Sequence, residues 1–393
     1  MSEWKEKTLG ELSIRVSSGL TPLKSNKDFW ENPIIPWLKT DQLGEKYIFD
    51  TNTKISKEAL EQTSLRIYPE NTISIAMYGE GKTRGNLSII KAPMTTNQAC
   101  CNIELDTKLA DVEYVYYYLK TQYDALRKLS SGVRKNLNSN DIKNYKIYIP
   151  ESVSFQKSIV RILTSLDNKI SVNNQINQEL EAMAKTLYDY WFVQFDFPDQ
   201  NGKPYKSSGG KMVYNPELKR EIPEGWGVEK LKYFLTIKNG KDHKHLQDGK
   251  FAVYGSGGIM RTVADYLYSG ESILFPRKGT LNNVMYVNEE FWTVDTMFYS
   301  EVNKNNSALY VFYSVKDIDF NKLNTGTGVP SMTSSILYDL NIIVPEENIL
   351  EKFNTIVKQN YETIKLNNIQ NQELNQLRDW LLPMLMNGQV KVE

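Results

Sequence analysis

The sequence predicts a duplicated α+β chain, in which two similar α+β units are each followed by a long helix. Three observations carry this reading. First, Asn173-Asn-Gln-Ile-Asn-Gln-Glu-Leu180 returns as Asn367-Asn-Ile-Gln-Asn-Gln-Glu-Leu374, a lag of 194. Second, a strand-like run ending in proline precedes each copy, Tyr145–Pro150 and then Leu340–Pro345, a lag of 195. Third, both halves open alike: Trp4, Leu9 and Ser18-Gly19 answer to Trp226, Leu231 and Asn239-Gly240, at lags of 222 and 221. Landmarks repeating in one order argue for duplication. The second unit is shorter by 222 − 195 = 27 residues.

A chain of 393 residues is long enough for two or more domains, and 40% hydrophobic content is enough for real cores. Within the units, Thr72–Ala76, Leu87–Ile90, Ser272–Phe275 and Val284–Val287 are short β-branched and aromatic runs bounded by Gly, Asn and Pro. They read as strands. Tyr114–Leu119 with Tyr123 and Leu126, and Ala308–Tyr313, read as helices.

After each unit the apolar period changes from 2 to 3.5. Ile159 leads to Leu163, Leu166, Ile170, Asn173, Asn177, Leu180, Ala184, Leu187 and Trp191 in steps of four and three. The second copy runs through Phe353, Val357, Asn360, Ile364, Asn367, Asn371 and Leu374, after which Arg378 interrupts the apolar series. Such steps make a coiled-coil seam. Asn173 and Asn177 match Asn367 and Asn371, so amides in the seam would fix register, or else these residues line a solvated face. Glu346 and Glu347 favour the second helix start, and Pro383 and Gly388 mark its end. Between the halves, residues 196–225 are rich in Gly, Pro, Lys and Ser. They read as a connector with no regular helix or central strand.

Enzyme signatures are missing. His243 and His245 lack partners at metal-site spacing and read as a loop. Ala76–Thr83 imitates a phosphate loop, but Ala76 replaces its first glycine and no helix pattern follows. The glycines of Tyr254–Gly258 do not fit a dinucleotide fingerprint. Asn32-Pro33 and Asn215-Pro216 lack the aromatic residue of an amino-methyltransferase site, and no nucleophile elbow occurs. The two cysteines, Cys100 and Cys101, are adjacent and form no disulfide framework. Without a signal peptide or membrane-length apolar run, a cytoplasmic location and no membrane partner are expected.

What remains are glycine-punctuated loops carrying cations. Tyr78–Asn86 presents Lys82, Thr83, Arg84 and Asn86, and Phe275–Asn283 presents Arg277, Lys278, Thr280 and Asn282. Ser131–Asn136 adds Arg134 and Lys135, Thr325–Pro330 is a further glycine loop, and Lys241 and Lys244 with the two histidines form a local positive patch or else a solvated face. Glycine admits close backbone approach, while these side chains donate to phosphates and base edges. Each loop alone is also compatible with an ordinary turn. Their recurrence in both units points to a binding surface.

The order of parts resembles the specificity subunit of type I restriction–modification enzymes. The resemblance spans essentially the whole chain. It is carried by Phe197-Pro-Asp-Gln-Asn-Gly-Lys-Pro-Tyr-Lys-Ser-Ser-Gly-Gly-Lys-Met212, Glu221-Ile-Pro-Glu-Gly-Trp226, Leu187-Tyr-Asp-Tyr-Trp-Phe192, Ile35-Pro-Trp-Leu-Lys39 and Phe251-Ala-Val-Tyr-Gly-Ser-Gly-Gly258. It implies target recognition domains at 1–151 and 226–345, spacer helices at 152–196 and 346–393, and a connector at 197–225. In that family the two long helices pack antiparallel. Each domain then reads half of a bipartite, asymmetric double-stranded DNA site while the helices set the spacer. The interface residues are Leu163, Ile170, Asn173, Asn177, Leu180, Trp191, Ile364, Asn367, Asn371 and Leu374. Two methylation subunits, modifying adenine N6 with S-adenosylmethionine, and motor–nuclease subunits using ATP and Mg2+ are the implied partners. No cofactor or catalytic residue is expected on this chain. Pro383 stands where the first helix has Asp189, which puts the reach of the second helix in question. A stand-alone duplicated DNA-binding regulator and a non-DNA scaffold are the other readings. The balance of 47 basic and 47 acidic residues argues against strong DNA binding by this chain alone, not against DNA reading.

Overall fold

A computed structural model describes residues 3–79, 83–129, 137–324, 326 and 328–390. The chain divides into two compact units, Met1–Val172 with Gln370–Glu393, and Asn173–Ile369. The division falls inside both long helices.

In unit 1 the strands are β1 (Trp4–Thr8), β2 (Ser13–Ser18), β3 (Ile35–Leu38), β4 (Tyr47–Ile48), β5 (Lys54–Ile55), β6 (Ile73–Ala76), β7 (Leu87–Ile90), β8 (Thr95–Thr96), β9 (Cys100–Leu105) and β10 (Lys146–Pro150). The helices are α1 (Lys57–Gln62), α2 (Val112–Thr121), α3 (Tyr123–Lys128), α4 (Ser139–Lys143) and the start of α5 (Val153–Tyr188). A five-stranded sheet has the order β2-β9-β6-β7-β4, antiparallel except for the β7–β4 pair. A smaller sheet is ordered β5-β3-β8. β1 pairs with β10 in register Trp4↔Pro150, so the first strand lies beside the last one before the long helix. The α2 start is capped by Asp111, whose carboxylate accepts the Tyr114 N–H at 3.0 Å. Tyr114, Val115 and Leu119 of α2 then join Ile73, Ile75 and Ile103 of the sheet in one buried core.

Unit 2 contains β11 (Met212–Asn215), β12 (Arg220–Pro223), β13 (Gly227–Lys230), β14 (Leu235–Asn239), β15 (Asp248–Gly255), β16 (Gly258–Val263), β17 (Tyr268–Pro276), β18 (Met285–Thr293), β19 (Met297–Val302) and β20 (Asn341–Val344). Its shorter helices are α6 (Ala308–Lys316) and α7 (Ser334–Tyr338), followed by α8 (Glu347–Met386). The main sheet is ordered β14-β19-β17-β18-β15-β16, again antiparallel except for one pair, β18–β15. Strand order and direction therefore match unit 1 position by position, and β16 is one strand more. β13 pairs with β20 as β1 pairs with β10.

The segment 197–225 holds the β11–β12 hairpin and no strand of the main sheet. It is nonetheless packed: Phe197 stacks on Trp226 and Tyr205 at centroid distances of 4.8 and 4.7 Å. Asp196 accepts both the N–H and the hydroxyl of Ser207. Aromatic burial holds a stretch whose backbone composition alone favours turns.

The long helices bury the positions given by the 3.5-residue period. Leu163, Asn173, Asn177, Trp191 and Asn371 are buried, and Ile170, Leu180, Ile364, Asn367 and Leu374 are half-buried, whereas residues between them are mostly exposed. Trp191 lies in a π-helical turn, Asp189–Val193, that closes α5. In unit 2, Asn177 exchanges amide hydrogen bonds with Asn367 and Asn368 at 2.8 and 3.0 Å, Asn360 donates to the Leu180 carbonyl, and Phe192 meets the Phe353 ring edge-on. As numbers rise along α5 they fall along α8, so the two segments run oppositely. In unit 1, Leu163 shares a core with Leu385, and Arg378 bonds Asp167 at 3.1 Å, in the same sense. Arg378 thus occupies the seam as one half of an ion pair.

Pro383 does not end the second helix. α8 continues to Met386 and, at 40 residues, exceeds the 36 of α5. The proline lacks the N–H that would bond the Asp379 carbonyl, and the helix carries that one lost bond and continues for three more residues. The end comes at Gly388, with φ +69°. Its N–H donates to Leu385 O and that of Gln389 donates to Met384 O, a Schellman motif.

Candidate nucleic-acid interface

Five backbone hydrogen bonds gather the loops at one end of each main sheet, and the same five recur in both units. In unit 1 the donors are Gly19 to Cys100, Leu20 to Thr96, Cys100 to Asn97, Met77 to Ala99 and Leu137 to Met77, at 2.8–3.3 Å. In unit 2 they are Gly240 to Met297, Lys241 to Thr293, Met297 to Val294, Arg277 to Thr296 and Met332 to Arg277, at 2.8–2.9 Å. The two glycines are required by space. A Cβ on Gly19 would lie 2.2 Å from both the carbonyl and hydroxyl oxygens of Thr96. One on Gly240 would lie 2.1 Å from Val294 O and 2.5 Å from the Thr293 hydroxyl. An indole N–H also braces the next residue in each, Trp37 to Leu20 O and Trp292 to Lys241 O.

In unit 2 this frame brings most of the predicted residues together. Lys241, Lys244, Arg277, Lys278 and Thr280 are all exposed, on loops tied to the 293–296 turn or next to it. Among the described residues none of these four cations lies within 4 Å of a carboxylate, although Asp242 and Asp295 are exposed at the same end. Lys238, farther along β14, is by contrast 3.5 Å from Glu301. The Arg277 guanidinium lies 5.8 Å from the Phe298 ring centroid, which supports its stem. Asn282 is engaged internally, its amide donating to Asp319 at 3.1 Å. His245 packs edge-on to Trp292.

In unit 1 the placement differs. The backbone register makes Met77, not Arg84, the counterpart of Arg277. Arg84 therefore does not stand where Arg277 stands. Thr83 and Arg84 are half-buried, and Asn86 uses its amide to hold Leu43 O at 3.2 Å. Lys82, Arg134 and Lys135 lie outside the described residues. Two cations that the sequence reading passed over, Lys24 and Lys27, are exposed on the segment leaving Gly19, the counterpart of the Lys241–Lys244 segment. Neither has a carboxylate within 4 Å among the described residues. The signal for them was the matched Ser18-Gly19 and Asn239-Gly240 landmarks, each followed within five residues by lysine.

Behind the loops, polar networks hold the sheets to the long helices. In unit 1, Lys46 Nζ lies 2.7 Å from Glu113 and 3.6 Å from Asp167, and donates to Tyr117 OH at 2.7 Å. The Tyr117 hydroxyl donates in turn to Asp167. Burial, then the Asp167 carboxylate, pushes the Tyr117 hydroxyl well above its usual range, so it stays a donor. In unit 2, Tyr286 donates to Glu271 at 2.7 Å and meets Tyr361 of α8 edge-on, while Lys365 lies 3.2 Å from Glu289. Among the described residues, no three His, Cys, Asp or Glu side chains gather as a metal site, and no helix is long and apolar enough to cross a membrane.

Two sheets of one topology each present a glycine-pinned loop end with exposed cations. The chain belongs to the type I restriction–modification DNA specificity family: the model of its type I restriction modification DNA specificity domain matches residues 1–182 and 223–376. Its role is that of a specificity subunit. It is 29% identical over 427 residues to the type I restriction enzyme MjaIX specificity subunit of Methanocaldococcus jannaschii, covering 100% of this chain and 94% of that one. It is 24% identical over 366 residues to the EcoprrI specificity subunit of Escherichia coli, covering 87% and 86%. The fold matches the crystal structure of a type I restriction–modification S subunit from M. genitalium with a TM-score of 0.63 at 17% identity, over 98% of this chain and 96% of that one.

Proposed function

We propose that this chain is the non-catalytic reader of a bipartite, asymmetric DNA site, each unit contacting one half-site through its glycine-pinned loop end. The observation that carries the reading is the repetition of the same five backbone hydrogen bonds around exposed loops that, in unit 2, bring four carboxylate-free cations together. Such cations offer phosphate contacts, and the glycines let backbone approach base edges. The helices α5 and α8 form an antiparallel coiled coil that sets the spacer, with the Asn177, Asn367 and Asn368 amides fixing its register. Exposed Met183, Leu366 and Trp380 on these helices offer apolar surface to two methylation subunits, which supply S-adenosylmethionine and modify adenine N6. Motor–nuclease subunits supply the chemistry that uses ATP and Mg2+, in the cytoplasm.

Mapping methylated adenines in cells carrying this chain and its partners tests the reading. Because the helices run oppositely, an insertion in one alone would slip every later pair. Matched four-residue insertions are therefore needed, one between Leu166 and Leu180 and one between Lys365 and Asp379. Each adds about 6 Å, close to two base-pair rises, so the spacer lengthens while both half-sites stay the same. An unchanged spacer would refute the ruler, and the absence of any bipartite motif would refute the reading.

A further inference from the structure

We propose that the tip of the β15–β16 hairpin is an apolar wedge that enters duplex DNA and unstacks one base step, in the half-site read by unit 2 only. The proposal rests on the DNA-reading role above and adds a mode of recognition to it. The tip is Gly255-Ser256-Gly257-Gly258, followed by Ile259 and Met260. Ile259 is 62% exposed and Met260 60%, and the Met260 thioether lies over Gly255, 2.5 Å from where a Cβ there would be. Opposite Ile259, Tyr254 is buried and donates to Glu289 at 2.7 Å, so the root of the hairpin is anchored.

The tip is held between the two cationic loops. Asn283 donates to Ser256 O at 2.8 Å, and the Ser256 hydroxyl lies 3.0 Å from where a Gly279 Cβ would be, beside Arg277 and Lys278. On the other side, Arg261 donates to Leu246 O at 2.6 Å and His243 O at 3.3 Å, fixing the loop of Lys241 and Lys244. A duplex drawn to these cations meets Ile259 and Met260 between them. Nothing lies within 4 Å of a Cβ at Gly257 or Gly258, so the tip is slim as well as apolar. Apolar side chains flanked by phosphate-binding cations are the arrangement by which proteins part stacked bases and bend DNA. Among the described residues the main sheet of unit 1 has no strand equivalent to β16, so unit 1 offers no such hairpin tip.

The test uses the full chain assembled with its methylation subunits, without S-adenosylmethionine, on duplexes carrying the mapped site. 2-Aminopurine replaces each purine in turn. The expected result is a severalfold rise in fluorescence at one step of the unit 2 half-site other than the modified adenine. The double variant Ile259→Ala, Met260→Ala should lose that rise yet keep the salt dependence of binding, which reports that the fold and the phosphate contacts persist. Binding without any rise in the natural protein would overturn the wedge, as would a rise that survives the double substitution. If the variant bound DNA normally but lost a methylation subunit, the tip would be a protein-docking element and the proposal would fall. Failure of the natural complex to bind any duplex would overturn the DNA-reading role itself.

Discussion

Removing the four exposed cations of the unit 2 loop end should change the salt dependence of DNA binding by a calculable amount. Lys241, Lys244, Arg277 and Lys278 lie on loops gathered at one end, and among the described residues none is neutralised by a carboxylate within 4 Å. Each phosphate contact contributes about −0.9 to the slope of log affinity against log salt. If all four side chains contact phosphates, substituting them with glutamine reduces the slope by about 3.6. Across a fourfold rise in salt, from about 50 to 200 mM, that corresponds to about 150-fold of affinity that the variant does not lose. The two proteins differ most at low salt and converge as salt rises. Fluorescence-anisotropy titration of the assembled complex at five salt concentrations would measure both slopes. Lys365→Gln is the control, since this lysine sits on α8 against Glu289 and should leave the slope unchanged. An unchanged slope in the quadruple variant, or an equal fall in the control, would refute the assignment of this loop end to DNA.

Gly19→Ala or Gly240→Ala forces a Cβ against backbone oxygens that cannot yield, and should cost about 2–4 kcal/mol through overpacking and a lost hydrogen bond. The shift in urea midpoint would show it, with Gly257→Ala, which meets nothing within 4 Å, near zero. Asp167→Asn weakens the bonds to Arg378, Lys46 and Tyr117 and should lower stability by about 1–3 kcal/mol. Replacing Asp167 and Arg378 together by leucine and methionine should recover part of that loss in a double-mutant cycle, and strict additivity would refute the coupling. Cys100 and Cys101 are fully buried, and burial pushes both thiols up to about 12. Neither should react with a thiol reagent at pH 8 until the protein unfolds, so rapid labelling of the folded protein would contradict the packing.

Local periodicity made much of the architecture readable in advance. Strand runs such as Ile73–Ala76 and Leu87–Ile90, the helices near Tyr114 and Ala308, and the inward positions of both long helices follow from residue types spaced at fixed intervals along one segment. The Asn-Gln-Glu-Leu repeats and matched glycines likewise carried the twofold plan, because a repeated fold must repeat its obligatory residues. Pro383 misled because its effect depends on where it falls. At its place in α8 it removes a single backbone donor without breaking the helix, and the stop is supplied by Gly388.

The candidate recognition surface was different. Arg84 looked equivalent to Arg277 by linear pattern, yet the hydrogen bonds from Met77 and Arg277 set another register. Lys24 and Lys27 join the surface only because Gly19 is pinned to Cys100, 81 residues away (100 − 19). Likewise, Arg378 looked like a break in a seam until Asp167 stood opposite it. The sequence by itself determined the elements, their order and the face each buries, since those follow from short-range spacing and burial. Only the tertiary structure decided which loop residues converge and which cations, among the described residues, are left without carboxylates. Those depend on hydrogen bonds and charges brought together from distant segments, and no period along the chain encodes them.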